Sequence, residues 1–427
     1  MPIDRMKAAL AKQVASLESE GRAKGAETVV VRVLPPEGGR GPRMILDGQG
    51  DRPFIRMNSN SYLGMSLRER VIGDEEEAVA QYGAGPGAVR FISGTYGPHV
   101  ELEQALAKFH GREAAMLFSS AYATVMSTIA ALTSDRTWLV SDELNHNCII
   151  NGMKLARPAG KGIYRHNDVD DCRKRLEEAV GKADRVLLIT DGIFSMRGDS
   201  APLAEIVAAA REFDDRFPEN VVVLVDDSHG VGSFGTTGRG TEEFANARCD
   251  VLVGTLGKAF GVNGGYVTAD ATTIRFLRET APMYIYSNPI TVGEAKASLA
   301  ALRLLDSDEG RALVDRLRKL TQRFEDGLVR LGFETIPGEH PVTPLVVRDT
   351  QKTRDLVKHL FANGVLATGL AYPVVPRGDD EIRFQVNADH TEADIDEVLS
   401  VLEKWPAAEP VSRQPAASER MESESKS

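Results

Sequence analysis

Short apolar runs that end in polar loops recur between residues 58 and 292, separated by stretches with helical spacing of apolar positions. Val221 to Val225 is one such run, leading into Asp226, Asp227, Ser228 and His229. Ala114 to Phe118 leads into Ser119, Ser120, Ala121 and Tyr122, and Val251 to Val253 leads into the glycine-rich string GTLGKAFGVNGGY. Apolar runs that are continuous rather than alternating predict strands buried on both faces, as in a parallel sheet covered by helices. The alternation of strand and helix signals predicts an α/β class domain over 58–292 with a mostly parallel central sheet. A helical pattern from Val292 to Gly332 predicts one long helix bridging into a smaller α+β domain, 293–405. The strands of that domain are expected at PVTPLVVR and EIRFQVN, and its last helix is expected to start at an N-cap, Thr391, with Asp394 three residues on. Residues 1–57 predict an amphipathic helix in RMKAALAKQVASLESEGRAKG and a hairpin-like connection turned at Pro35, Pro36, Gly38 and Gly39. The polar, Pro/Ser-rich stretch 406–427 reads as a disordered tail without a catalytic role.

Composition narrows the class. A chain of 427 residues with 42% hydrophobic content can bury a large core. Its 51 basic residues against 62 acidic ones, a net charge of -11, argue against nucleic acid as a partner. Cys148, Cys172 and Cys249 have neither paired nor metal-like spacing, so no metal is expected and a reducing cytoplasm suits them. No apolar run is long enough to cross a membrane, and the N-terminus lacks a signal-peptide core. Asp4, Glu18 and Glu20 argue against a mitochondrial transit peptide, and the helix that holds them is expected to pack on a partner subunit.

The chemistry concentrates at the ends of the apolar runs. Lys258 lies among Gly257, Ala259 and Gly261, small residues that let a flat ring approach the backbone, and Thr255 puts a hydroxyl three residues before it. Asp226, 32 residues earlier, supplies a carboxylate at the end of a buried strand, the edge where ligands bind in open α/β sheets. An amine to condense with an aldehyde and an acid to hold a pyridine nitrogen protonated are the groups pyridoxal phosphate chemistry most needs. Taken singly, Asp226 also reads as a cap for the following turn, and the lysine as a surface residue in a glycine-rich turn. Ser119 to Tyr122, between a strand and a helix N-terminus, could hold a phosphate on free backbone N–H groups. His146 in DELNHNCIING could stack on a ring or be an ordinary hydrogen-bonded histidine. RVLLITDGIFSMRGD repeats the strand-then-loop pattern and offers Ser195.

In combination, NSNSYLGM, VRFISGTYGPHVELE, DELNHNCIING, TDGIFSMRGDSAPL, VDDSHGVGSFGTTGRG, GTLGKAFG, YSNPIT, YPVVPRG and EIRFQVNADHT resemble the α-oxoamine synthase family from about Asn58 to Leu402. The resemblance implies the fold-type I, aspartate aminotransferase-like architecture and pyridoxal phosphate as cofactor. It implies that Lys258 binds the cofactor, that Asp226 partners its ring nitrogen and His229 its phenolic oxygen, that Ser195 lies near that oxygen, and that His146 stacks on the ring. The phosphate would be met by Ala121, Tyr122, Thr255 and, from the other subunit of a homodimer, Ser287. Asn60 and Arg383 would face the substrate, Arg383 gripping an amino-acid carboxylate, a task a guanidinium fork suits.

The family condenses a small amino acid with an acyl-CoA thioester and releases CoA. Among its members the motifs look closest to glycine C-acetyltransferase, which favours glycine and a short acyl donor. Synthesis of 8-amino-7-oxononanoate or serine palmitoyltransferase-like transfer of a longer chain is the alternative, with an acyl carrier protein as a possible donor. An aminotransferase or aldolase on the same scaffold is the rival from another class. Asn60-Ser61-Tyr62 and Asn387-Ala388-Asp389-His390 depart from the family pattern, as do residues around Val262-Asn263, and these departures bear on the choice of substrate.

Overall fold

The computed structural model describes residues 3–20, 22–23, 25–372, 375 and 378–406. The stretch 407–427 of the expected tail, and Pro373, Val374, Pro376 and Arg377 of YPVVPRG, lie outside the described residues.

Seven strands form the central sheet: β1 (Ala114–Phe118), β2 (Thr137–Asp142), β3 (Gly160–Tyr164), β4 (Arg185–Asp191), β5 (Val221–Asp226), β6 (Val251–Thr255) and β7 (Gly265–Ala269). Their order is β1-β7-β6-β5-β4-β2-β3. The pairs from β6 through β5, β4 and β2 to β3 are parallel, whereas β7 runs antiparallel to both β6 and β1. The apolar runs are continuous because both sheet faces are covered. Leu139, Leu187, Leu224 and Val253 pack on one side with Ile149 and Val125; Val140, Leu188, Val223 and Leu252 pack on the other with Ile206 and Leu176.

The antiparallel β7 is not foreseen from the sequence, because its first residues merge with the glycine-rich lysine loop. It places that loop beside the end of β1: Gly265 pairs with Thr255 on one side and with Phe118 on the other. A Cβ at Gly265 would stand 2.3 Å from the Ala121 nitrogen, so only glycine lets the helix start approach so closely.

The single long helix expected over 292–332 is instead two helices, Val292–Leu305 and Asp308–Arg330. Ser307 caps the second, its hydroxyl accepting from Gly310 N. Gly310 then fits against the carbonyl of Leu305, where a Cβ would come within 2.2 Å.

The C-terminal antiparallel sheet has the order Glu334–Thr335, Val342–Val346, Glu381–Gln385, Thr368–Leu370, and Thr391 and Asp394 form the expected capping box. A third sheet links the two ends of the chain. Val30–Leu34, Arg43–Leu46 and Pro53–Arg56 run antiparallel, and the last pairs in parallel with Val365–Leu366. Arg43 and the Gly41 N–H bind the Asp394 carboxylate, clamping the N-terminal connection onto the last helix. The N-terminal helix, Asp4–Ser19, buries none of its residues, and Met6, Leu10, Val14 and Leu17 are exposed. Among the described residues, no helix is long and apolar enough to cross a membrane.

Candidate active site

Strands β1, β4, β5 and β6 deliver polar side chains to one edge of the sheet, around a cavity of about 270 Å³. Ala121, Tyr122, His146, Ser195, Asp226, His229, Thr255 and Lys258 all line it, together with Cys148 and Asp191. Eight of the eleven residues singled out from the sequence thus meet in one place.

Lys258 is half-buried, and desolvation of its amine lowers its pKa from 10.5 to about 8 against the opposing charges of Asp226 and Asp191. Such an amine is neutral in a useful fraction of molecules near neutral pH, as a nucleophile or base must be. Asp226 is fixed at the end of β5: Ser228 donates to its Oδ1 from the backbone N at 3.1 Å and from the hydroxyl at 2.6 Å. Cys148 donates to the other oxygen at 3.4 Å. Burial, reinforced by Asp226, pushes the Cys148 thiol far up and keeps it a donor rather than a thiolate. His146 caps the helix Asn147–Leu155, and its backbone N–H donates to Asp191 Oδ2 at 2.7 Å. Burial, with Asp226 close by, holds Asp191 well above the usual carboxylate range.

At the other end of the cavity begins the helix Ala121–Leu132. Ser120 accepts from Ala123 N, while the N–H groups of Ala121 and Tyr122 have no acceptor within the helix. An anion there meets backbone donors and the positive end of the helix dipole. The residues present therefore fit pyridoxal phosphate: an amine of lowered pKa lies between a fixed carboxylate and an anion-binding helix start.

His229 is buried, and burial holds its pKa well below 6.5. Tyr62 Oη lies 2.7 Å from His229 Nδ1 and 3.2 Å from Asn60 Oδ1. Burial raises the Tyr62 phenol, so it stays protonated and bridges His229 Nδ1 and Asn60 Oδ1, to which its hydroxyl donates. Arg383 and Asn60 stand just behind the cavity lining. Arg383 donates to the Ser195 carbonyl at 3.0 Å, and its pKa is lowered by burial. The Gln385 amide touches Asn60 and, with its oxygen facing the guanidinium, accepts from Arg383 Nη2 at 2.8 Å and Nε at 3.1 Å. Ser287 lies outside this lining; in its own chain its hydroxyl is placed 3.5 Å from the Asn288 carbonyl.

Sequence reasoning passed over Asp191, Cys148, Tyr62 and Gln385. Asp191 carried a usable signal, because it ends an apolar strand one position before a glycine, as Asp226 ends another. Cys148 was read only by cysteine spacing, yet His146, Cys148 and Asp226 bring their ligand atoms within 4.8 Å of one another. Two of the departures from the family pattern serve structure. Asp389 pairs with Arg68 at 3.0 Å, and Asn387 donates to the carbonyls of Ser59 and Gln385.

Comparison with known proteins agrees with this geometry. Residues 52–402 match the family Aminotransferase class I and II, which defines the chain as a fold-type I enzyme dependent on pyridoxal phosphate. The chain is 37% identical over 396 residues to the 8-amino-7-oxononanoate synthase of Thermosipho melanesiensis, spanning 92% of this chain and 96% of that one. It is 40% identical over 365 residues to the enzyme of that name from Symbiobacterium thermophilum, with 85% and 90% covered. The structure of Sphingomonas wittichii serine palmitoyltransferase superposes with a TM-score of 0.84 at 27% identity, covering 94% of this chain and 97% of that one. Within the class I and II aminotransferase family, this chain belongs to the α-oxoamine synthases, acyltransferases that condense an acyl group with an amino acid.

Proposed function

We propose that this enzyme joins alanine to a seven-carbon acyl thioester, with loss of the thiol and of carbon dioxide. The carrying observation is the 37–40% identity, over 85–92% of the chain, to proteins named 8-amino-7-oxononanoate synthase. The name of that product describes its construction. A nine-carbon acid with an oxo group on C7 and an amino group on C8 divides between those carbons into a seven-carbon acyl unit ending in an acid and the two-carbon remainder of alanine. This supports the longer-chain alternative over the glycine and short-donor reading that the motifs alone favoured.

The chain's own residues suit the reaction. Arg383 offers its guanidinium to the amino-acid carboxylate, with Gln385 and the Ser195 carbonyl holding the fork in place. Lys258, its pKa lowered to about 8, takes the proton from Cα. Bound pyridoxal phosphate supplies the electron sink that makes this proton acidic, with Asp226 keeping the ring nitrogen protonated. His229 would hold the cofactor's phenolic oxygen, and His146 would cover one face of its ring. Ala121, Tyr122 and Thr255 receive the phosphate, and Ser287 does so across a homodimer.

The test is thiol release from acetyl to palmitoyl thioesters, on coenzyme A and on acyl carrier protein, each paired with glycine, alanine or serine and with product masses recorded. The seven-carbon donor with alanine is expected to give the highest turnover and the mass of the nine-carbon product. Acetyl transfer to glycine at a higher rate would return the assignment to the glycine-dependent branch, and thiol release independent of any amino acid would remove the synthase reading.

A further inference from the structure

Beside the main cavity lies a second one of about 120 Å³, sharing Ser195 with it. Leu144, Phe194 and Met196 line its apolar part, and Arg197, Asp379 and Glu381 supply its charged groups. Arg197 is already paired with Asp199 at 3.1 Å. Glu381 is different. It is 5% exposed, and its Oε1 has no hydrogen-bond partner. A buried carboxyl oxygen without a partner costs free energy that a ligand can return. Glu381 also stands two residues before Arg383 on one strand, so both side chains leave the same face about 7 Å apart. The second cavity therefore opens alongside the group expected to hold the amino acid.

We propose that this side cavity is the subsite for the acyl chain, and that Glu381 hydrogen-bonds an oxygen at the far end of that chain. The proposal rests on the synthase reading and deepens it by naming what distinguishes the acyl donor. Burial raises Glu381 to about 8 against the nearby charges of Arg383 and Arg197, so at neutral pH it is a carboxylic acid with an O–H to donate. A chain ending in a carboxyl group or its ester presents the acceptor this O–H lacks; a chain ending in methyl leaves it unpaired. Size points the same way. A cavity of about 150 Å³ holds a six-carbon benzene ring, so 120 Å³ takes roughly the outer five carbons of a seven-carbon chain and not a palmitoyl tail. Phe194 and Met196 give the intervening methylenes an apolar wall.

The experiment compares three seven-carbon CoA thioesters on the holoenzyme, ending in carboxylate, methyl ester or methyl. Thiol release with alanine and direct binding by calorimetry without alanine are both measured. A terminal oxygen is expected to raise kcat/KM and affinity at least tenfold, and the better of the carboxylate and the ester names the physiological form. Glu381→Leu should bring that ratio close to one, while Glu381→Gln, which keeps a donor, should preserve most of it. Retained cofactor absorbance shows that each variant is folded. Equal handling of the three thioesters by the wild type, or an equal loss for all three in Glu381→Leu, would overturn the subsite. Should no thioester release thiol in an alanine-dependent way, the synthase reading fails, and the calorimetric ratio still decides the subsite on its own.

Discussion

Lys258 is costly to the fold, and its cost has a pH signature. Burial lowers its folded pKa to about 8 while the unfolded value stays at 10.5, so the unfolded chain binds more protons between those limits. Stability of the cofactor-free protein should therefore rise with pH through this window. Lys258→Met removes the charge and keeps the volume. Its apoprotein should be more stable than wild type by up to about 3 kcal/mol below pH 8, with the gap closing by pH 10.5. Urea midpoints across that range measure it, and a gap independent of pH would mean that folding leaves the lysine's pKa at its unfolded value. Tyr62 makes the opposite kind of contribution. Its hydroxyl meets His229 Nδ1 inside the protein at 2.7 Å, so Tyr62→Phe leaves a buried ring nitrogen unpaired. The expected loss is about 1–3 kcal/mol, read from denaturant unfolding. The same variant should slow turnover more than it raises KM, because the ring of His229 is then no longer held at Nδ1.

Three separate elements meet at His166. It follows β3, and its ring contacts Asp142 at the end of β2 (Nδ1, 3.1 Å) and Asp199 in the loop after β4 (Nε2, 3.0 Å). Burial alone would depress its pKa, but the two carboxylates outweigh it and raise the value from 6.5 to about 9. A raised pKa means that the stabilisation is fully present below pH 6.5 and is lost as pH rises through 9. His166→Gln should cost on the order of 2–3 kcal/mol at pH 6, progressively less as pH rises from 6.5 to 9, and almost nothing above that, as thermal unfolding at several pH values will show. A constant difference across pH would assign His166 to packing on Phe194 alone. At this scale the sequence was legible where patterns were local. β1, β5, β6 and the capping box at Thr391 could be read because apolar runs and a short polar signature specify them. The break between Leu305 and Asp308 was not, because apolar spacing persists through it and masks the N-cap signal of Ser307 followed by Asp308 and Glu309. β7 was hidden because its pairing partners, β1 and β6, are set by the tertiary arrangement. The same distinction divides the site. Lys258, Asp226 and His229 sit at the ends of legible strands, whereas Tyr62 arrives from a turn beyond the strand Pro53–Arg56 and Gln385 from the C-terminal sheet, and both become site residues only once the chain has folded.

Ser287 carries the argument to the whole molecule. The family resemblance assigns it to the phosphate, yet in its own chain it lies outside the cavity that holds Lys258. The exposed stripe Met6, Leu10, Val14 and Leu17 of the N-terminal helix, and Tyr286 at 80% exposure next to Ser287, leave apolar surface that a second copy would cover. If each cavity draws Ser287 from the partner, the two functions of one site lie on different chains and can be separated genetically. Lys258→Ala removes the amine from its own cavity, and Ser287→Tyr blocks the phosphate of its partner's cavity. Each variant alone should then be inactive. In a hybrid of the two, one cavity carries both defects and the other carries neither. Random reassortment of an equal mixture makes about half the dimers hybrids with one intact site of two, so about a quarter of wild-type activity should return. Activity is measured after mild denaturation and refolding of the mixture, with cofactor absorbance counting the restored sites. If Ser287 instead serves its own chain, every hybrid contains one cavity spoiled by each variant, and no activity returns at any mixing ratio.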